Sequence, residues 1–228
     1  MAWGNACLRG TLSPDELDRW WPRTRFVRTL GFRDGDRALG PQAWLAERQA
    51  DGASRLRLDA RGIVGCESVL ACADAAVSAW RQRWDRIPDA KEAPWFDAVF
   101  TREAPPSELP PPSRSADEVL AELTNALQGL VTLSERADLS HWGSYFARVL
   151  AVARGELVEG DSLLPPTAAP EVHQLARAAN LADVFGGMGS WNDFEPLRDP
   201  ASESERDRCS SLLFTSTRAA LAATAEQG

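Results

Sequence analysis

Few side chains in this 228-residue chain have the chemistry to carry a reaction. There are two histidines, His141 and His173. His141 stands at the expected first turn of a helix, beside Trp142. A general base there needs a carboxylate or nucleophile within hydrogen-bond reach, and the sequence places none. His173 reads as a single histidine on another helix. Asp183, Asp193 and Glu195 flank a glycine-rich run and would suit acid–base or cation chemistry if they converged. Helix capping and solvation explain them more cheaply. The four cysteines, Cys7, Cys66, Cys72 and Cys209, form no C-x-x-C pair, so buried free thiols are expected rather than a zinc site or disulfides. The glycine run lacks the Lys-Ser/Thr ending of a phosphate loop, and no Ser or Cys nucleophile elbow is visible. The expectation is therefore a protein that is not an enzyme, with no metal and no cofactor.

The run itself is Gly186-Gly187-Met188-Gly189-Ser190-Trp191-Asn192-Asp193. Its glycines permit positive φ or close backbone approach. Phe185, Met188 and Trp191 are expected to pin the loop into a core. Phe185 would end a helix, Gly186 or Gly187 would cap it, and Ser190 with Asp193 would open the next turn. The run resembles the GGMGS-x-ND loop of an uncharacterised bacterial domain family associated with immunity genes beside polymorphic toxins. That family has a His-Trp pair on an upstream helix, matched here by His141-Trp142. The resemblance covers roughly residues 116–226. It implies a binding site drawn from Gly186, Gly187, Met188, Gly189, Ser190, Trp191, Asn192, Asp193, His141, Trp142 and Glu195. It also implies an immunity-type protein that neutralises a cognate toxin by protein–protein contact. The alternatives are a small enzyme or ligand-binding domain using the Gly186–Asp193 loop, and a scaffold subunit of a bacterial complex.

Charge points the same way. Residues 1–102 hold 16 Lys/Arg and 14 Asp/Glu, a balance of +2; residues 103–228 hold 9 and 19, a balance of −10. An acidic half repels nucleic acid and anionic lipid and attracts a basic protein, so the expected partner is a basic toxin. No stretch approaches the roughly 20 apolar residues of a membrane span, and the N-terminus lacks the pattern of a signal peptide. Cytoplasm is the expected compartment.

The elements that must position these residues are legible in part. The expected fold is α+β and mainly helical: a small α+β part over 1–102, a proline-rich linker over 103–114, and an all-α bundle over 115–228. Ser13-Pro14-Asp15-Glu16 reads as a capping box. Residues 24–30 read as a strand, Pro41–Arg48 as a helix, and Ser54–Asp59 as a half-buried strand by its alternation. Val69, Ala73, Ala76, Val77, Trp80 and Trp84 fall on one helical stripe, predicting a helix over 67–84. Residues 94–100 form a short apolar run of undetermined type. Five prolines between Ala104 and Ser113 predict an exposed, extended spacer. Four helices follow. Ser115 caps the first and Ser140 the second, Pro170 starts the third, and the last begins near Ser202 with Cys209, Leu212, Leu213 and Ala220 inward.

Overall fold

A sequence that alternates polar and apolar residues favours a half-buried strand, and Ala53–Asp59 is a strand, although the adjacent Leu56 and Arg57 are both buried. A computed structural model describes residues 1–13, 15–16, 27–59, 68–73, 76–88, 91–92, 94, 96–185, 190–193 and 197–228. The chain divides into two units, Met1–Pro112 with Gly228, and Ser113–Gln227. The fold is α+β.

Among the described residues the first unit has a six-stranded mixed sheet and the helices Ala2–Leu8 and Pro41–Ala50. Helix α1 (Ala2–Leu8) precedes strands β1 (Val27–Asp34) and β2 (Arg37–Leu39), then helix α2 (Pro41–Ala50). Strands β3 (Ala53–Asp59), β4 (Ser68–Ala73), β5 (Val77–Arg86) and β6 (Phe96–Glu103) follow. The order across the sheet is β2-β1-β6-β5-β4-β3, with β1 and β6 parallel and every other pair antiparallel. Gly35, at φ +57°, makes the β1–β2 turn where a glycine is cheapest. Pro41 sits in the first turn of α2, where its missing N–H costs nothing.

The helix expected over 67–84 is two antiparallel strands instead. Val69 lies opposite Trp80 and Leu70 opposite Ala79. Val69, Leu70, Ala71 and Cys72 are all buried, so β4 is covered on both faces and shows no alternation. A short, continuous apolar run fits helix or central strand equally well by periodicity alone. Trp80 is buried on the α1/α2 face, while Trp84 is 45% exposed and outside the expected core. The undetermined run over 94–100 becomes β6 from Phe96 onward. Of the Ser13 box, Ser13 N–H donates to the Glu16 carboxylate (2.9 Å); most of the expected helix lies outside the described residues.

Two long-range polar contacts finish this unit. β3 is an edge strand, which would leave backbone groups bare. The buried Asn5 amide closes that edge as a strand would, accepting from Leu56 N–H (2.6 Å) and donating to Leu56 C=O (2.9 Å). The buried guanidinium of Arg57 donates to the carbonyls of Pro110 (2.6 Å) and Pro111. The proline-rich run is thus extended and mostly exposed, but Pro110 is buried and the run is gripped rather than free.

In the second unit the described elements are helices α3 (Ala116–Arg136), α4 (Ser140–Ala153), α5 (Pro170–Ala182) and α6 (Pro200–Gln227), with a 3-10 turn at Trp191–Asp193. Ser115 and Glu118 form the expected capping box on α3. The α3 stripe of Val119, Leu123, Leu127, Leu130 and Leu133 is buried along its length. A Cβ on Gly129 would lie 3.1 Å from Cys209 Sγ on α6, and one on Gly143 would lie 3.2 Å from Ser134 Cβ, so these glycines let α3 approach its neighbours closely. Ser113, Arg114 and Ala116 are bonded to Glu226 and Gln227, tying the start of α3 to the end of α6.

Three local expectations change here. Ser140 is the first residue of α4 rather than its cap: Leu139 takes the cap position, because Leu139 N–H bonds back to Ser134 C=O (2.9 Å) and Asp138 turns the chain at φ +53°. Helix α5 ends at Ala182, with Asp183 following outside the helical region at φ −77° and ψ +78°, so Phe185 does not terminate it. Leu212 faces outward at 47% exposure, whereas Cys209, Leu213 and Ala220 are buried. The last helix starts at Pro200, and Asp199 accepts from both the N–H (2.9 Å) and the hydroxyl (2.7 Å) of Ser202.

Candidate functional site

Gly186, Gly187, Met188, Gly189 and Glu195 lie outside the described residues. What flanks them is well defined. Trp191 N–H donates to Val184 C=O (3.1 Å), drawing the two ends of the glycine loop together. The Trp191 ring is 2% exposed, and its Nε1–H donates to Ser210 Oγ on α6 (2.6 Å). It meets Trp142 edge-on (5.2 Å, 79°) and Phe146 edge-on (5.1 Å, 81°), the geometry the ring quadrupoles favour. Trp142 in turn stacks on Phe146 (5.6 Å), and Tyr145 donates to Leu181 C=O (2.6 Å).

Trp142 therefore does meet the tryptophan of the glycine loop. Trp191 is a core residue, as expected, and Trp142 is half-buried against it. His141 is exposed, with its ring against the edge of Trp142 (5.7 Å). Asp193 is exposed in the 3-10 turn, its N–H bonded to Ser190 C=O (3.1 Å). Asn192 is the middle residue of that turn. Asp183 is also exposed. Among the described residues no group of three or more His, Cys, Asp or Glu is placed to hold a metal ion. Cys7, Cys72 and Cys209 are buried free thiols, and burial pushes the Cys7 and Cys209 thiols up.

Constrained, exposed backbone is also found in the connection from α4 to α5. Gly155 (φ +73°) ends α4, as expected of a left-handed cap. Gly160 (φ +80°) and Leu163 (φ +52°) turn the chain twice more. Leu163 N–H donates to Asp161 Oδ1 (3.2 Å), and Asn180 Nδ2 on α5 donates to Asp161 C=O (3.0 Å). Ser162 is buried, and its Oγ lies 2.7 Å from His173 Nδ1. Burial, with the charge of Arg177 adding to it, holds the imidazole below the ordinary histidine range; a hydrogen bond to Pro165 C=O partly offsets this. A neutral imidazole protonated on Nε2 accepts a hydrogen bond from the Ser162 hydroxyl at Nδ1. His173 is not isolated: it fastens the loop to α5. Eleven residues separate the pair, and no local pattern announces it.

This loop presents Leu157 (40% exposed), Val158 (78%) and Leu163 (41%) to water among Glu156, Glu159 and Asp161. Arg148 approaches Glu159 at 3.5 Å. Between Arg154 and Arg177 the sequence has no lysine or arginine. No family model, curated protein or solved structure matches the chain.

Proposed function

We propose that this chain is an immunity-type protein that binds a cognate bacterial toxin in the cytoplasm and neutralises it by contact, without chemistry of its own. The binding part is the second unit, read as an all-α bundle. The observation that carries this is the segregation of charge. Met1–Pro112 holds 16 Lys/Arg and 16 Asp/Glu, whereas Ser113–Gln227 holds 9 and 17, a balance of −8. A surface of that sign favours a basic protein and disfavours nucleic acid and anionic membranes. The likeness of residues 186–193 to an immunity-associated loop supports the same reading, with Trp191 and Trp142 supplying its fixed core. Co-expression with the C-terminal domain encoded by a toxin-like neighbouring gene tests it. Stable co-purification and rescue of growth are expected; continued toxicity without a complex would refute it.

A second reading, a small hydrolytic enzyme, has one observation in its favour, the Ser162–His173 pair. A hydroxyl on a neutral imidazole is the start of a nucleophile–base arrangement. Ser162 is buried in a loop that its hydroxyl holds in place, which favours the binding reading. Labelling of Ser162 by a fluorophosphonate, abolished in Ser162→Ala, would favour the enzyme.

A further inference from the structure

We propose that the loop from Glu156 to Leu163 is the surface on which the basic partner docks, with Val158 as the apolar anchor that enters a pocket on the partner. The proposal rests on the partner-binding reading above and gives it a place.

Apolar exposure is the first observation. Val158 is 78% exposed, and Leu157 and Leu163 stand with it in seven residues of chain. Single exposed leucines are ordinary, but a cluster on one short loop is the kind of patch that marks an interaction site.

The second is that this exposure is built in. The loop is held by the Ser162–His173 and Asp161–Asn180 bonds, and Leu163 is kept left-handed at φ +52° where Gly or Asn would be cheaper. A loop fixed before binding loses little conformational freedom on docking, which favours affinity.

The third selects the occupant. Glu156, Glu159 and Asp161 are interleaved with the apolar residues along this stretch, and Arg148 is the one cation paired with them among the described residues. A second copy of this chain would bring the same carboxylates face to face, and an anionic lipid surface would be repelled. A basic protein with an apolar pocket satisfies both the charge and the exposed side chains. Carboxylates on the rim then speed encounter, and the apolar centre sets the dissociation rate.

The test uses the full chain and the C-terminal domain of the toxin-like neighbour. Calorimetric titration is run for Val158→Arg and Val158→Ser, with Leu212→Ser on the exposed side of α6 as the control. Val158→Arg should weaken binding by about thirtyfold or more, the loss expected of an interface anchor. Val158→Ser should weaken it less, Leu212→Ser by less than about threefold, and all three should leave thermal unfolding unchanged. If the wild-type complex forms and Val158→Arg binds equally well, the docking surface is wrong and the toxin-binding function stands. A complex that never forms with the wild type overturns both. Sedimentation of the chain alone covers the remaining occupant: a wild-type dimer that Val158→Arg converts to monomer would mean that a second copy covers the loop, and the proposal would fall.

Discussion

Around Trp80 the first unit packs large rings edge and face: Phe32 lies 3.9 Å from Trp44 in a stack, and both meet Trp80 edge-on at 5.8 and 5.6 Å. The buried guanidinium of Arg48 lies over the Trp80 ring at 5.3 Å, paired with Asp51 at 3.1 Å. Around Leu127 the second unit is instead filled by leucine, valine and alanine from α3 to α6, and aromatic rings gather where Trp191 meets Trp142 and Phe146 and where Phe185 meets Phe214 edge-on. The first arrangement concentrates burial in a few side chains. Each unit also holds two buried polar atoms with no hydrogen-bond partner among the described residues, Trp44 Nε1 and Arg48 Nε in the first and Ser134 Oγ and Thr217 Oγ1 in the second. The second distributes burial along regular helical stripes. Specificity in the first core comes from ring shape, and in the second from heptad-like spacing and two close glycine contacts.

The largest effects should come from the rings in either unit. Trp80→Ala removes a fully buried indole and should cost about 3–5 kcal/mol in urea unfolding. Trp191→Ala should cost a similar amount, about 3–5 kcal/mol, and leaves Ser210 without its donor. If Trp191→Ala unfolds like the wild type, the aromatic corner beside the glycine loop is not a core, and the comparison fails there.

A smaller effect is expected at the sheet edge. Asn5→Ala orphans Leu56 N–H and C=O, at about 1–3 kcal/mol for each buried group left without a partner. Asn5→Asp keeps the acceptor for Leu56 N–H but offers no donor to Leu56 C=O, so it should fall between wild type and Asn5→Ala. Equal stability of all three would show that the Asn5 amide does not close the β3 edge.

The smallest effect is a pH dependence confined to the helical unit. His173 titrates below its unfolded value of about 6.5. The folded state therefore prefers the neutral ring. Its contribution is complete above the unfolded pKa and is lost as pH falls through the folded pKa. Stability measured downward from pH 8 should fall below about pH 6.5 more steeply for wild type than for His173→Gln. Identical slopes would remove His173 from the loop's anchorage.

How much of this was readable depended on whether the partners were local. The α3 capping box, the Pro41 start of α2 and the strand at Ser54–Asp59 rest on residues within one turn or one strand, and each appeared where expected. Helix α1 was missed because its seven residues carry no side-chain cap. β4 was misread because a strand covered on both faces loses the two-residue period, and β5 because Val77, Trp80 and Trp84 fall at helical spacing by chance. The buried role of Trp191 was legible from its aromatic neighbours in sequence. The loop assigned to binding was not: Ser162–His173 and Asp161–Asn180 pair across 11 and 19 residues, and the left-handed turn at Leu163 carries no glycine to betray it.

The central claim is that the acidic surface of the second unit recruits a basic protein. Association kinetics with a basic toxin domain encoded by a neighbouring gene test it most directly, followed as ionic strength rises from 0.1 M to 1 M and the Debye length shrinks from about 10 Å to about 3 Å. Steering by rim charges should make the on-rate fall steeply across that range, while the dissociation rate changes little. Neutralising Glu156, Glu159 and Asp161 together should lower the on-rate at low salt and leave the melting temperature almost unmoved, because exposed charges contribute little to folding. A complex whose on-rate is the same at both salt concentrations would contradict the account and leave the acidic surface with solubility as its only role.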